Sequence, residues 1–445
     1  KNIAMKKILF LAALALLASC QKNDNDTSQD EDRKEQNKAL QNELTSNKDG
    51  WKLTYIAEDG STGGYQFLMK FGDDGTVTMT SDISSTTTPT ATSYSTQEKN
   101  GALVLSFIGQ NYLHQLADAI KGNAANGLSG KVYQFQYAGK EGNNLKFLNL
   151  LKSSKPTLVF EPATANDWSN IDTFVANLNP ITKLTDYYYL KVTTATQSVT
   201  YYNVSFDSRV LALKDTNIKA PVAATQEGIA FLSPLTIEGK SFTSLTRSGG
   251  TVTPTYSATV DGVTASLFFS SISPEFLNSN DYRDINTSIE GFSIMTQHFK
   301  NNKFMSKTFY EDVLKVNNST DLFMLKINFV DAGECEIQIG HIFAGSGFSI
   351  IQVNCEYELK NNRLYLKNLD SRLRSSNATA WNDAKNAAVL EKAKRALGAI
   401  YSLGVQGYYI KKKDIVIEPL TDNPVYYLQS HEYPLYTFPA WGVPL

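Results

Sequence analysis

The sequence predicts a mainly β protein, a β-rich α+β fold of antiparallel sheets or small barrels arranged in duplicated modules. Three observations predict this class. Aromatic residues, which favour strands, are abundant, with 23 Tyr and 23 Phe, while Cys is scarce at 3. Short apolar stretches of strand length alternate with turns rich in Gly, Asn and Asp. Similar strand and turn patterns also recur along the chain. One long helix is expected, near residues 378–403.

Length and charge indicate the number of domains and exclude one class of partner. The 445 residues are enough for about three domains. The net charge of −2 leaves no basic footprint for nucleic acid, so we expect no nucleic-acid partner. The predicted segments are a lipoprotein signal peptide at 5–19, a lipidated cysteine with a flexible acidic tether and a short helix at 20–49, a first β module at 50–165, a middle β module at 181–280, and a second full β module with a helical insert and an aromatic tail at 281–445.

The N-terminus has the features of a bacterial lipoprotein signal. Lys6 and Lys7 are followed by an apolar stretch at 8–18, which is too short to span a bilayer. Leu17-Ala18-Ser19-Cys20 then resembles a lipobox, in which the cysteine is lipidated and the preceding peptide is removed. We therefore expect Cys20 to anchor the protein. The alternative is an ordinary signal peptide with an accidental cysteine.

An acidic stretch follows Cys20. Residues 21–32 carry five acids, one lysine and no large apolar side chain, so we expect a flexible tether. The stretch also resembles the acidic signal after the lipidated cysteine in surface-exposed lipoproteins of Bacteroidetes, although a generic solvated linker would read the same way. Residues 33–47 are predicted to form one polar helix, which Gly50 ends.

Matching patterns in the first and last modules predict a duplicated antiparallel unit. The strand at 67–71 matches the strand at 323–327, so Phe67 is expected to superpose on Phe323. Asn100-Gly101 in the first module and Asn361-Asn362 in the last suit positive φ, so each is predicted to form a hairpin tip. Three strands are predicted to end at a proline, because proline cannot donate to a sheet ladder. They lie at 158–164, 230–236 and 415–421, and Pro162 is expected to superpose on Pro419.

Each full module is expected to contain a helical insert. In the last module, Asn377 can cap a helix whose apolar side chains, from Trp381 to Ile400, lie close to one stripe, and Gly404 is the predicted stop. In the first module the insert is predicted at 112–120. A helix beside each sheet would cover one face or close one end of a barrel.

Cys335 and Cys355 are predicted to pair across a hairpin. Gly345-Ser346-Gly347 suits the hairpin tip, and each cysteine lies about ten residues from it. Antiparallel pairing would then set the two side chains on the same face, at a separation that a disulfide can span. The alternative is a pair of reduced, buried thiols that pack as small apolar side chains.

A search for catalytic motifs finds none, so we predict no catalytic residue, no metal site and no cofactor. The 4 histidines have no partner histidine three or four residues away, and no zinc-protease motif is present. Ser346 lacks the flanking residues of a nucleophile elbow. The paired carboxylates of a glycoside hydrolase come from separate strands, so a hydrolase of that kind stays open as an alternative.

The C-terminal tail is the predicted ligand-binding segment. Its aromatic rings alternate with prolines, and exposed rings can stack on the apolar faces of sugars. The candidate residues are Tyr433, Tyr436, Phe438 and Trp441. The alternative is that the tail wraps the last sheet and buries these rings.

Two resemblances support this organisation. The strand from Trp51 and the glycine-rich turn after it resemble the opening of lipocalin-like small barrels. The lipobox, Gly63-Gly64-Tyr65, the Asp74-Gly75 turn and Tyr112-Leu113-His114 together resemble a family of Bacteroidetes lipoproteins known only as a domain of unknown function. This resemblance is clearest in the N-terminal third, and it departs from the family pattern at the Gly139–Gly142 turn.

The resemblance implies a role and a location. Members of that family are usually encoded near outer-membrane uptake pairs of the starch-utilisation type and near predicted zinc metallopeptidases. We therefore expect a lipid-anchored outer-membrane protein that faces the cell surface and binds a ligand or partner in glycan or peptide acquisition. The expected partners are the membrane, through the lipid anchor, and uptake proteins or an extracellular glycan or peptide. A hydrolase and a structural or adhesive module are the alternatives.

Overall fold

The computed structural model describes residues 24–56, 62–116, 133–151 and 156–445. The predicted signal peptide, Cys20 and residues 117–120 of the first helical insert lie outside the described residues. Side chains are described from residue 31 onwards.

The chain folds into two compact units, the first ending at Phe269 and the second running from Ser270 to Leu445. The first unit holds two closed eight-stranded barrels and the second holds one. In each barrel, strands that follow one another in sequence are antiparallel neighbours, and the last strand pairs with the first. This is the up-and-down topology of small barrels such as lipocalins. It confirms the predicted mainly β class.

The first barrel spans residues 51–162. Its strands are β1 (Trp51–Tyr55), β2 (Tyr65–Phe71), β3 (Thr76–Ser81), β4 (Thr90–Lys99), β5 (Ala102–Ile108), β6 (Gln134–Glu141), β7 (Asn144–Asn149) and β8 (Thr157–Pro162). Helix α1 (Asp24–Thr45) precedes it, and the short helix α2 (Tyr112–Gln115) follows β5.

The second barrel spans residues 188–269, after helix α3 (Ala165–Lys183) and a 3-10 turn at Thr185–Tyr187. Its strands are β9 (Tyr188–Thr193), β10 (Val199–Asp207), β11 (Val210–Leu213), β12 (Lys219–Ala224), β13 (Gly228–Ile237), β14 (Lys240–Ser248), β15 (Thr255–Val260) and β16 (Val263–Phe269).

The third barrel spans residues 289–444. Its strands are β17 (Ile289–Met295), β18 (Met324–Asp331), β19 (Glu334–Phe343), β20 (Gly347–Lys360), β21 (Arg363–Ser375), β22 (Tyr408–Lys413), β23 (Val425–Ser430) and β24 (Thr437–Pro444). Its helices are α4 (Pro274–Leu277), α5 (Thr296–Phe299), α6 (Lys307–Phe309), α7 (Ala378–Asn382) and α8 (Ala387–Val405), with 3-10 turns at Asp281–Asp284 and Ala384–Asn386 and a π turn at Tyr310–Leu314.

Aromatic side chains fill the interior of the first barrel. The Phe135 ring packs edge-on against Phe107 and Phe160, with centroids 5.7 and 6.0 Å apart, and Phe160 contacts Phe147 at 4.6 Å. All four belong to one buried cluster. An eight-stranded barrel has an interior just wide enough for side chains to fill. The space inside this barrel is therefore used for packing.

Helix α1 packs against the first barrel through a narrow apolar contact. Leu40 and Leu44 are buried in the core of that barrel, and the indole N–H of Trp51 donates to the carbonyl oxygen of Leu44 at 2.8 Å. The helix begins at Asp24, whereas the sequence predicted a helix over 33–47. It therefore includes part of the acidic segment that was predicted to be a flexible tether, which is a correction of that expectation.

Helix α3 was not predicted, and it contacts both barrels of the first unit. Thr164 and Asp167 form a capping box at its start, in which each side chain accepts a backbone N–H of the other residue. Ile171 packs against Leu68 of the first barrel, and Ile181 lies in the core of the second. The Thr-x-x-Asp pattern is the sequence signal that could have located this helix.

Asn177 is the central polar link between α3 and the second barrel. Its side-chain amide donates to the carbonyl oxygen of Thr225 at 2.7 Å and accepts from Arg247 at 2.9 Å. Its backbone carbonyl accepts from the hydroxyl of Tyr256 at 2.6 Å. At the other end of α3, the indole of Trp168 donates to the carbonyl of Asp49 at 2.7 Å.

The structure supports half of the repeat argument and corrects the other half. The matched strands are β2 and β18, each the second strand of its barrel, and Asn100-Gly101 and Asn361-Asn362 both join fourth and fifth strands. The proline argument holds for one of the three predicted strands and is wrong for the other two. Pro162 ends the eighth strand β8, Pro234 lies within β13, and Pro419 lies in the connection between β22 and β23. Pro162 and Pro419 therefore occupy different positions in their barrels.

The predicted long helix near 378–403 is present, but it is broken near its start. Asn377 caps α7 by accepting the N–H of Ala380 at 3.0 Å, as expected. Asp383 then interrupts the helix, because its side chain accepts the N–H of Lys385 and begins a separate 3-10 turn. Trp381 therefore lies on α7, while α8 carries Ile400 and continues one residue past Gly404. No helix in the described part of the chain is both long and apolar enough to cross a bilayer.

Cys335 and Cys355 lie directly opposite each other in the β19–β20 hairpin, so their predicted register is confirmed. Both are buried free thiols, with sulfur atoms 2.7 Å apart. The hydrogen bond with Cys355, followed by burial, raises the pKa of the Cys335 thiol. The disulfide itself stays a prediction.

We expect these two thiols to be joined when the protein is made in an oxidising envelope. Peptide mapping of the unreduced protein should recover residues 335 and 355 in one cross-linked species. Closing a loop of this length should stabilise the fold by roughly 3 kcal/mol in the chain-entropy model. Two thiols that alkylate freely once the protein is unfolded, without prior reduction, would contradict the bond.

Candidate functional site

The structure removes two of the four predicted tail residues from a ligand site. Phe438 and Trp441 lie in β24, the closing strand of the third barrel, and both are fully buried. Phe438 stacks on Phe309 with centroids 4.0 Å apart, and Trp441 packs edge-on against Phe299 at 4.6 Å. A ligand in solvent cannot reach these rings, so their assignment to a sugar platform is corrected.

Tyr433 and Tyr436 lie before β24 and are more accessible. The Tyr433 side chain is 49% exposed, and the Tyr436 hydroxyl donates to Asp312 at 2.7 Å. Their rings meet edge to face, 6.4 Å apart and at 82°, so they do not form one flat surface. Ligand binding by these two residues stays a prediction. No group of three or more His, Cys, Asp or Glu side chains that could hold a metal occurs in the described ranges.

A buried ion pair joins the two barrels of the first unit. Ser208 and Arg209 form the tight turn between β10 and β11, and both have positive φ, which is unfavourable for residues other than glycine. The Arg209 side chain extends from this turn into the first barrel. Its Nη1 donates to the carbonyl oxygen of Gly64 at 2.6 Å and to Asp82 Oδ2 at 3.0 Å, and its Nη2 donates to the carbonyl oxygen of Asp82.

The partners of Arg209 are themselves buried and bonded. Asp82 Oδ1 accepts the backbone N–H of Gln66 at 2.9 Å, so both carboxylate oxygens are engaged. Burial raises the pKa of the Asp82 carboxyl, while Arg209 and the Gln66 N–H oppose that shift. The guanidinium lies 4.0 Å from the centroid of the Tyr65 ring, and burial raises the pKa of that phenol to about 12. Tyr65 is therefore neutral at physiological pH.

Two glycines let the backbones of the barrels meet beside this pair. Gly63 donates its N–H to the carbonyl of Ser208, and Gly64 donates to the carbonyl of Val222, both at 2.9 Å. A Cβ atom at residue 63 would overlap the carbonyl oxygens of Val222 and Arg209. Only glycine permits this approach, so the Gly63-Gly64 segment is a requirement of the interface between the barrels.

A cleft of about 980 Å³ lies next to the ion pair, which forms part of its wall. This volume is at the upper end of the range for small-molecule sites, about 300–1,000 Å³. Its lining comes from the connection between β3 and β4, the region around α2, helix α3 and the β10–β11 turn. Hydroxyl and amide side chains predominate in it, namely Ser84, Ser85, Thr86, Thr90, Thr92, Gln110, Asn111, Gln115, Asn179, Thr182 and Ser208.

Two buried polar atoms of the lining have no hydrogen-bond partner among the described residues. Asn111 is only 4% exposed, and its Oδ1 caps α2 by accepting the N–H groups of Leu113 and His114. Its Nδ2 is left unbonded, as is the buried hydroxyl of Thr92. An unsatisfied buried donor costs about 1–3 kcal/mol. Both atoms are covered in the protein without ligand, so a ligand in the cleft can bond to them only after a small shift of the side chains around them.

Tyr112 stabilises the wall opposite α3. Its ring is buried in the core of the first barrel, and its hydroxyl donates to the carbonyl of Thr88 at 2.7 Å, with Thr86 O at 3.2 Å. These bonds hold the connection between β3 and β4, which supplies Ser84 and Ser85 to the cleft. The wall is therefore anchored to a rigid scaffold.

A family model described as a domain of unknown function, DUF4302, matches residues 26–249, half of the chain. The chain belongs to the DUF4302 family. The DUF4302 match includes the first barrel, α3 and the second barrel as far as β14. Every described residue that lines the cleft lies within the matched range.

The other comparisons add no functional argument. No curated protein matches the chain. A crystal structure of a lipopolysaccharide binding protein aligns over 93% of this DUF4302 protein and 96% of that chain, at 11% identity and a TM-score of 0.13. A TM-score this low indicates neither a shared fold nor a shared ligand.

Sequence reasoning missed this cleft. Gly63-Gly64 was noted only as a turn, although paired glycines before a strand can signal a close backbone approach. Asp82 and Arg209 are 127 residues apart, and nothing in either local sequence marks them as partners. The sequence around Asn111 indicates a helix cap. That signal predicts the role of its side-chain oxygen and says nothing about the unbonded Nδ2 group.

We expect Arg209→Met to lower the free energy of unfolding by about 3–5 kcal/mol, because it leaves Asp82 buried without its counter-charge. The control is Lys240→Met, which breaks an exposed pair with Asp261 and should cost at most about 1 kcal/mol. Urea unfolding of both variants measures the difference. Adding Asp82→Leu to Arg209→Met should recover much of the loss. Equal losses of stability for Arg209→Met and Lys240→Met would contradict a buried pair.

We expect Gly63→Ala to destabilise the first unit by about 1–3 kcal/mol, because the new methyl group forces the two backbones apart. Gly250→Ala is the matched control, since a Cβ there would meet nothing within 4 Å. Thermal unfolding should show a lower midpoint for the first variant and little change for the second. A Gly63→Ala protein as stable as the control would show that the barrels do not need this contact.

Proposed function

We propose that this protein is a lipid-anchored, surface-facing protein of the outer membrane that binds a ligand for nutrient uptake and performs no chemistry on it. The anchor is supported by Leu17-Ala18-Ser19-Cys20 behind two lysines and a short apolar stretch. Family membership supports only an uncharacterised domain. The Bacteroidetes origin, the lipid and the neighbouring uptake proteins are part of the proposal.

The observation that carries the binding role is the cleft with its two unbonded polar groups. A volume of this size can hold a small ligand, and the Asn111 amide and the Thr92 hydroxyl can bond to it. Both lie on side chains near rigid barrel elements. Binding through these two groups requires the side chains that cover them to move, while the barrel strands can stay in place.

The carboxylates around the cleft favour binding over hydrolysis. Glycoside hydrolases use two carboxyl groups, about 5–10 Å apart, on either side of the bond that breaks. Among the described residues, two acids line this cleft, Asp82 and Asp207. Asp82 has both oxygens bonded and is buried against Arg209, so it is not free to transfer a proton. Asp207 alone does not supply the pair.

We expect Cys20→Ala to move the protein from the membrane fraction to the soluble fraction. Several acyl chains on one cysteine hold a protein firmly in a bilayer, whereas the protein without them has no anchor at this position. Cell fractionation and incorporation of labelled palmitate are the measurements. Ser19→Ala is the control, because it keeps a small residue before Cys20 and should change neither result. A Cys20→Ala protein that still sediments with the outer membrane would contradict the anchor.

A further inference from the structure

We infer that the cleft between the first two barrels binds a neutral, hydroxyl-rich ligand of the oligosaccharide class. This inference rests on the proposed binding function and names the chemical class of the ligand. The cleft was not among the candidate sites of the sequence, which placed sugar binding on the C-terminal tail.

The charges of the lining favour a neutral ligand. Arg209 and Asp82 neutralise each other within hydrogen-bond distance, and Asp207 is the only other charged side chain in the described lining. An anionic ligand would require a free cation, and Arg209 is already committed to Asp82 and Gly64. A cationic ligand would find a single exposed carboxylate. A neutral ligand with hydroxyl groups can donate a hydrogen bond to the Asp207 carboxylate and needs no counter-charge from the lining.

The hydrogen-bonding groups of the lining favour hydroxyl groups on the ligand. The Asn111 Nδ2 group can only donate, whereas the Thr92 hydroxyl can both donate and accept. A ligand hydroxyl also does both, so it can bond to either group. Further hydroxyl side chains along the cleft extend this pattern, including Ser84, Thr90 and Thr182. A polyol can therefore satisfy the whole polar surface.

The remaining lining suits the apolar faces of sugar rings. Phe206, Val175 and Leu178 contribute apolar side chains, of which only the small exposed fraction can contact a ligand. Sugars combine hydroxyl groups at their edges with C–H groups on their faces, so a lining of many hydroxyl and amide groups with a few apolar side chains is complementary to them. The mixed lining of this cleft matches that combination.

A peptide fits the unit less well. Extended peptides commonly bind by adding a strand to a free sheet edge. In both barrels of the first unit the last strand pairs with the first, so the described strands present no such edge. The experiment below therefore includes a peptide probe, and tighter binding of that peptide would contradict the inference.

The test uses the purified full chain in detergent and isothermal titration calorimetry. The neutral probes are maltohexaose, cellohexaose and mannohexaose, the anionic probe is hexagalacturonate, and the peptide probe is hexaalanine. We expect at least one neutral hexasaccharide to bind, and no binding of the anionic or peptide probe.

Two variants then locate the site. Asn111→Asp keeps the oxygen that caps α2 and replaces the Nδ2 donor by a carboxylate oxygen, which only accepts hydrogen bonds and adds a negative charge. Thr92→Val removes a hydroxyl that has no partner, so the fold should be retained. Each should weaken binding of the neutral probe at least about tenfold, which corresponds to 1.4 kcal/mol. Thr296→Val is the matched control, because it removes an unpartnered buried hydroxyl from the third barrel and should leave the affinity unchanged.

The outcomes separate this inference from the proposed function. Neutral-sugar binding that both cleft variants weaken, at unchanged melting temperatures, supports the inference. Binding that neither variant affects overturns the location. Tighter binding of hexagalacturonate or hexaalanine overturns the ligand class and leaves the binding function standing. Absence of binding by all five probes overturns the inference, while the anchor is judged separately by the fractionation of Cys20→Ala.

Discussion

The buried pair of Arg209 and Asp82 is the interaction on which the first unit depends. It places a guanidinium from the second barrel against a carboxylate, a carbonyl and an aromatic ring of the first. Removing both charges from water is costly, and only the dense set of hydrogen bonds offsets that cost. The pair therefore specifies one arrangement of the barrels, and it also forms one wall of the cleft.

The location of the cleft follows from the filled interior of the first barrel. Eight strands can enclose either packed side chains or one small ligand, and in the first barrel Phe107, Phe135, Phe147 and Phe160 occupy that space. Such a barrel has little room inside for a ligand. Space for a ligand is present instead where the first two barrels and α3 meet, because their side chains do not fill the volume between them. The chain thus uses its barrels as rigid supports, and the site lies between them.

The repeated architecture explains why one part of the repeat argument succeeded. Turn residues such as Asn100 and Asn361 must adopt positive φ, so their chemistry marks equivalent hairpins in the first and third barrels. Proline carries no comparable information, because it is tolerated at strand ends, in connections and at irregular strand positions alike. Pro162, Pro234 and Pro419 occupy three different settings for this reason.

Local sequence by itself determined the β class, the hairpin at Cys335 and Cys355, and the cap at Asn377. Each depends on neighbouring residues, on side-chain alternation or on turn chemistry, all of which act over a short span. Only the tertiary structure decided that Phe438 and Trp441 are buried, that Asp82 faces Arg209, and that a cleft lies beside them. These features depend on which distant segments meet when the barrels close and pack, and no local pattern in the sequence carries that information.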